Sequence, residues 1–327
     1  MAKKITVVDL FSGCGGLSLG LQNSGFKVVA GLDNWQPAIE TYQKNFKHDI
    51  INLDLNNVSE AVKVIENYNP DIIAGGPPCQ DFSQAGKRNE DSGRGNLTVS
   101  FAQIIAAQKP KYFIMENVDR LLLTAKYQQA FRIFKTAGYG LTVKLIDASL
   151  CGVPQKRKRW FVIGELDGED NALDSYLVEK LSDNVMTLKD YFGDTLGLEY
   201  YYRHPRNYSR RGIYNLDEPS ATIRGVNRPL PKNYSLHHLD ATKDLNKVRA
   251  LTTNERAWIQ TFPKSFIFEG TKTNLEQQIG NAVPVKLAEF VGNALMEYII
   301  SNKKQNIVGS KGFEPLTSFT SRTRSTN

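Results

Sequence analysis

Short apolar, β-branched runs alternate with longer amphipathic stretches through the first half of the chain. The runs Ile5 to Leu10, Lys27 to Leu32, Asp71 to Ala74, Tyr112 to Met115, Thr142 to Ile146 and Trp160 to Ile163 have the length and composition of buried strands. Between them, Pro37 to Asn45, Val58 to Asn67, Leu97 to Gln108 and Tyr127 to Ala137 carry apolar residues at helical spacing. Strands separated by helices predict an α/β fold with a mostly parallel, Rossmann-like sheet covered on both faces. In such a fold, ligands gather beyond the carboxyl ends of the strands.

The pattern changes after about Asp190. From Arg203 to Lys232 seven lysines or arginines stand against Asp217 and Glu218, with tyrosines and prolines interleaved and no helical period. A solvated, loop-rich insertion fits this pattern, and so does a nucleic-acid reader beside a catalytic domain. Helical spacing returns at Asn254 to Gln260 and at Pro284 to Ile300, and the stretch from Gly309 to Asn327 is rich in Ser, Thr and Arg without apolar period. The expected organisation is therefore a catalytic and cofactor domain over residues 1–190, a smaller irregular unit over 191–273, a return segment over 274–302 packing on the first domain, and a disordered tail over 303–327.

A chain of 327 residues with 41% hydrophobic content builds a full core. The net charge of +7 favours a polyanionic partner. Three cysteines, an odd number, fit reactive or buried thiols in a reducing compartment better than a disulfide framework. Met1-Ala2-Lys3-Lys4 leads straight into a strand, and no apolar stretch approaches a bilayer crossing, so a cytoplasmic location with no membrane contact is expected.

Two segments carry candidate chemistry. Phe11-Ser12-Gly13-Cys14-Gly15-Gly16 reads as a tight turn between the first strand and a helix starting near Leu17, with glycines that let a ligand approach the backbone. The dinucleotide fingerprint fails at Ser18, and no phosphate-cradling Lys-Ser/Thr follows. Asp33, ending the second strand, is placed to accept from ribose hydroxyls, and Asp54 to accept from an adenine amino group. Ribose and adenine without pyrophosphate describe S-adenosylmethionine. Downstream, Gly75-Gly76-Pro77-Pro78-Cys79-Gln80 places a cysteine behind two prolines at the end of a buried strand, which limits where its sulfur can point. That suits a nucleophile, although a buried free cysteine is also an ordinary packing residue.

Five segments in order then identify a family: Asp9-Leu10-Phe11-Ser12-Gly13-Cys14-Gly15-Gly16, Gly76-Pro77-Pro78-Cys79-Gln80-Asp81-Phe82-Ser83, Met115-Glu116-Asn117-Val118, Gln155-Lys156-Arg157-Lys158-Arg159 and Gln278-Ile279-Gly280-Asn281-Ala282-Val283. Over about Ile5 to Ile300 the chain resembles the bacterial DNA cytosine-5 methyltransferases of restriction-modification systems. The resemblance implies a methyltransferase sheet with a target-recognition domain, S-adenosylmethionine as cofactor and no metal. Its partners would be duplex DNA and a restriction endonuclease acting on the same site, the chain itself being a monomer. It assigns Cys79 as covalent nucleophile, Glu116 to ring nitrogen 3 and the exocyclic amine, and Arg159 to the cytosine carbonyl. Arg157 would brace the site or reach phosphate. Cofactor contacts would come from Phe11, Gly13, Gly15, Asp33, Asp54, Gly76, Pro77, Leu97, Asn281 and Ala282. A glycine-bearing, basic lid over Gln80 to Asn96 would close on a flipped base. Sequence reading would fall to Leu196 through about Leu245, with Arg203, Arg206, Arg210, Arg224 and Arg228 at guanine edges or phosphates.

Two departures from the family pattern stand out. Asp33 and Trp35 occupy positions where glutamate and aspartate are common, and Ala282 replaces a frequent serine. A relative that methylates transfer RNA would share the site but resembles a pattern with threonine at Ser83. An inactive binding protein would have lost Cys79, Glu116 or Arg159, and all are intact.

Overall fold

The computed structural model describes residues 4–78, 97–118, 124–205, 207 and 209–310, with the side chains of 304–310 excepted. Cys79, the expected lid, Arg206, Tyr208 and the stretch 311–327 lie outside the described residues.

A seven-stranded sheet forms the centre, in the order β3-β2-β1-β4-β5-β8-β6. Its strands are β1 (Thr6–Leu10), β2 (Lys27–Asp33), β3 (Asp49–Asn52), β4 (Ile72–Gly75), β5 (Tyr112–Val118), β6 (Tyr139–Asp147) and β8 (Lys158–Leu166). Every pairing is parallel except those of β8, which runs antiparallel to both β5 and β6. The strand order reverses beside β1, whose neighbours are β2 and β4. That reversal opens a crevice at the carboxyl ends of β1 and β4.

Side chains explain the layering. Val7, Val8, Leu10, Ile72, Ile73, Phe113 and Ile114 are fully buried, as strands covered on both faces require. One face packs α1 (Gly16–Asn23) and α10 (Val285–Ser310) through Leu17, Leu21, Leu287 and Leu295. The other carries α3 (Val58–Glu66), α4 (Leu97–Gln108) and α5 (Ala125–Thr136), where Phe113 stacks on Phe134 at 4.4 Å between ring centres. α2 (Gln36–Asn45) follows β2 directly, and the short α6 (Asp174–Val178) and α7 (Leu188–Phe192) follow β8. No helix among the described residues is long and apolar enough to cross a membrane.

The smaller unit is built from short pieces. A three-stranded sheet joins β9 (Tyr200–Tyr202), β10 (Ile213–Asn215) and β12 (Val248–Ala250) around Tyr202, Ile213 and Val248. Asp240 substitutes for missing strand contacts, accepting N–H bonds from Gly212, Ile213 and His237 at 2.9, 2.9 and 2.8 Å. A separate parallel pair joins β7 (Gln155–Lys156) of the large domain to β11 (Ser220–Ala221) of the small one. Core residues also cross between the units: Tyr201, Leu216 and Ile223 share a cluster with Cys14, Ile279 and Val285.

The smaller unit ends with α8 (Thr253–Ile259), and the return segment begins within α9 (Lys272–Asn281) and runs into α10. α10 continues to Ser310, past Lys303 where the sequence pattern predicts a tail. Lys304, Gln305 and Asn306 end the apolar period but are compatible with helix, so the backbone carries on.

Candidate active site

The turn after β1 lies at the sheet's switch point and is bonded to the end of β2. Ser12 N–H donates to Leu32 O at 3.1 Å, and Gly13 N–H donates to Asp33 Oδ2 at 2.8 Å. Asp33 Oδ1 accepts the Trp35 N–H at 2.8 Å. Burial raises the Asp33 pKa, against these hydrogen bonds. Phe11 adopts a left-handed backbone, φ 56°, a strained state that clusters at functional sites.

The two glycines expected to admit a ligand serve different ends. Gly13, φ +54°, has nothing within 4 Å of where a Cβ would stand, so its side of the turn is open. That openness is of the described residues; at Gly15, φ +96°, a Cβ would lie 2.3 Å from the Phe46 ring. Gly15 thus makes room for this protein's own aromatic side chain on that side. Asp54 is exposed at the end of the next unit, its Oδ1 occupied by the Asn56 N–H at 3.0 Å and Asn56 Nδ2 at 2.9 Å. An open turn at Gly13, with Asp33 fixed beside it and no phosphate loop, fits a nucleoside cofactor such as S-adenosylmethionine.

Beyond β4, Gly76-Pro77-Pro78 runs against the end of β5. Asn117 Nδ2 donates to Pro77 O at 2.6 Å. A Cβ on Gly76 would stand 3.2 Å from Glu116 Oε2, so the glycine lets that carboxyl lie close to the segment entering Cys79. Glu116 and Asn117, 8% and 4% exposed, are consecutive residues of a strand, and alternation sends their side chains opposite ways.

β8 brings Arg159, and the residue before that strand is Arg157. Arg159 Nε lies 2.8 Å from Glu116 Oε1. Burial raises the Glu116 pKa while Arg159 and then Arg157 oppose the rise, and burial prevails. The result is a carboxyl with one oxygen held by a cation and a pKa above the ordinary value. Such a group can keep a proton for transfer.

Arg157 occupies a different place from that expected of a substrate residue. It is 2% exposed, and its guanidinium donates to Ile223 O at 3.0 Å, Gly280 O at 3.1 Å and Ala282 O at 3.1 Å. This is bracing; a side chain so enclosed does not reach phosphate. Gln155 and Gln260 complete the same buried knot. Gln155 Nε2 donates to Gln260 Oε1 at 2.6 Å, Gln155 Oε1 accepts the Ile223 N–H at 2.8 Å, and Gln260 Nε2 donates to Ile279 O at 2.6 Å and Ala282 O at 3.0 Å. The knot joins the approach to β8, the small unit and the segment after α9. Asn281 itself is exposed, and Leu97 is half-buried at the first turn of α4.

The small unit's arginines divide. Arg203 Nη2 donates to Thr222 O at 2.9 Å, and Arg224 donates to His204 O, so both stiffen the unit internally. Arg210 and Arg228 are exposed. Asn117, Gln155 and Gln260 were not singled out from sequence, since a buried amide has no pattern of its own.

Comparison with known proteins agrees with this geometry. The profile of the C-5 cytosine-specific DNA methylases matches residues 5–297. The chain is 57% identical over 292 residues to the Type II methyltransferase M.HindV of Haemophilus influenzae, covering 89% of this chain and 96% of that one. It is 52% identical over 300 residues to the Type II methyltransferase M.HgiDI of Herpetosiphon aurantiacus, covering 92% and 97%. Among solved structures, Schizosaccharomyces pombe Dnmt2 methyltransferase aligns with TM-score 0.69 at 16% identity over 91% of this chain and 99% of that one. An Escherichia coli prophage protein, described as a putative DNA modification methyltransferase, aligns with TM-score 0.64 at 24% identity over 91% and 100%. At those identities the structural likeness shows the fold.

Proposed function

The chain belongs to the C-5 cytosine-specific DNA methylases, and from that premise we propose that it moves a methyl group from S-adenosylmethionine to carbon 5 of a cytosine flipped out of a specific short duplex sequence, through a covalent bond to Cys79. The observation that carries this reading is Glu116: a buried carboxyl with a raised pKa, held by Arg159 at 2.8 Å, beside the segment that enters Cys79.

The residues act as follows. Carbon 5 of cytosine is a weak nucleophile, so the Cys79 thiolate adds to carbon 6 and pushes electron density into the ring. Glu116, carrying its proton, meets ring nitrogen 3 as negative charge builds there, a contribution of about 10²–10⁴ in rate for a well-placed acid. Arg159 holds Glu116 and the cytosine carbonyl in one plane. Arg157 keeps β8 in register with the small unit without touching the base. Loss of the carbon 5 proton to a base then expels Cys79 and restores the ring. Bound at Phe11, Gly13 and Asp33, with Pro77, Asn281 and Ala282 nearby in the family pattern, S-adenosylmethionine supplies an electrophilic methyl on sulfonium.

Residues 191–273 form the DNA-reading unit in this proposal, with Arg210 and Arg228 among its exposed cations. A cognate restriction endonuclease shares the site without a stable complex. The test is nucleoside mass spectrometry after incubating the full chain with methyl-labelled S-adenosylmethionine and, in parallel, unmethylated duplex DNA or RNA. Label in 5-methylcytosine is expected; label on an exocyclic nitrogen, or on RNA alone, overturns the reading.

A further inference from the structure

A line of short hydrogen bonds runs from beneath the cofactor turn towards the surface. Asp9, on β1 two residues before Phe11, is fully buried. Ser18 Oγ donates to Asp9 Oδ2 at 2.6 Å, Ser18 Oγ lies 2.7 Å from Tyr42 OH, and Tyr42 OH lies 2.7 Å from His48 Nε2. Counting hydrogens fixes the direction. Ser18 gives its one proton to Asp9, so Tyr42 donates to Ser18, and His48 Nε2–H donates to Tyr42. With Asp9 protonated, every bond reverses and Tyr42 donates to a bare Nε2. The proton that Asp9 gains is relayed from Nε2 and replaced from solvent at Nδ1 of the half-buried imidazole, so the ring stays neutral and neither side chain moves.

The groups facing the line are few. Asp9 faces the charge of Asp33, the residue that holds the Gly13 N–H. Tyr42 faces Asp9 and packs on the Phe46 ring at 4.3 Å. His48 faces Asp49 and Gln22, with Gln22 Nε2 at 3.5 Å from Nδ1.

We propose that Tyr42 and His48 are positioning residues for the methyl donor: through Ser18 they set the charge of Asp9 under the cofactor turn, and the ionised carboxylate favours the cationic sulfonium donor over the uncharged thioether product. This rests on the placement of S-adenosylmethionine at Phe11, Gly13 and Asp33 given above. An ionised carboxylate under the turn attracts a cationic sulfonium in a poorly solvated site, while a thioether gains nothing from the same carboxylate. The burial of Asp9 raises its pKa to about 7, the Ser18 hydrogen bond opposing, so its charge changes within the neutral range.

Isothermal titration of the full chain with S-adenosylmethionine and with S-adenosylhomocysteine, from pH 6 to 8.5, tests this. Donor affinity is expected to rise about fivefold across neutral pH while product affinity changes less than about twofold. Tyr42→Phe removes the hydroxyl, and His48→Gln keeps a donor but cannot titrate; both should move the midpoint of the donor curve up by about one pH unit and leave product affinity unchanged. Should Tyr42→Phe misfold, His48→Gln at the half-exposed end carries the test. Variant curves that superpose on the native one, or equal slopes for donor and product, overturn the proposal. Absence of binding of either compound to the native protein overturns the cofactor placement instead.

Discussion

Asn117 Nδ2 donates to the carbonyl of Pro77 at 2.6 Å inside the protein, while Asn117 Oδ1 accepts the N–H of Val118 at 2.8 Å. The bond registers the end of β5, which bears Glu116, against the peptide that enters Cys79. Asn117→Ala leaves a buried carbonyl unpaired, at about 1–3 kcal/mol of stability. A misplacement near 1 Å between acid and nucleophile is worth about 10²-fold in rate. Steady-state kinetics should show kcat reduced about 10- to 100-fold with the donor KM nearly unchanged.

Glu116→Gln removes the transferable proton but keeps the shape. Its kcat should fall about 10²–10³-fold while DNA affinity is retained. Because burial raises the native pKa, the protonated form persists above the ordinary carboxylate range and is lost as pH rises through the raised value. The native pH profile of kcat should therefore decline on the alkaline side of that pKa, and this limb should be absent from Glu116→Gln.

Arg157→Lys tests the brace. A lysine can satisfy at most one or two of the carbonyls of Ile223, Gly280 and Ala282 that the planar guanidinium spans. Denaturant unfolding should show a loss of about 2–3 kcal/mol. DNA affinity should weaken as well, because the small unit is anchored through Ile223.

Asp9→Asn separates stability from binding. The native pKa of Asp9 is raised from 3.8 to about 7 by burial, so the folded state holds its proton where the unfolded chain has released it. Its contribution is full below pH 3.8 and is lost as pH rises through about 7. Thermal melts should show Asp9→Asn more stable than the native protein at pH 8, with the difference shrinking toward pH 4.

The sheet was legible because its strands are buried on both faces and advertise this as apolar runs; β1, β2, β4, β5, β6 and β8 all fall on runs read from the sequence. β3 was not, since Asp49-Ile50-Ile51-Asn52 is four residues at an edge, with two polar ends and half-buried centres. The small unit's strands are two or three residues long, too short for any period to show. In the site, Glu116 and Arg159 could be named because each stands in a motif that carries the family resemblance. The amides could not: Gln155 and Gln260 meet across 105 residues of chain, and only the fold supplies their partners. Arg157 looked like its neighbour Arg159 in sequence, and burial alone distinguishes a brace from a substrate contact.

Covalent attack by Cys79 is the claim on which the rest turns, and a duplex bearing 5-fluorocytosine at the mapped target position tests it most directly. With S-adenosylmethionine present, fluorine blocks the final loss from carbon 5, so the native chain should run on a denaturing gel as a stable protein–DNA adduct whose linked peptide contains Cys79. Cys79→Ser should give none. A native chain that methylates ordinary duplex yet forms no adduct with the fluorinated one would contradict the account.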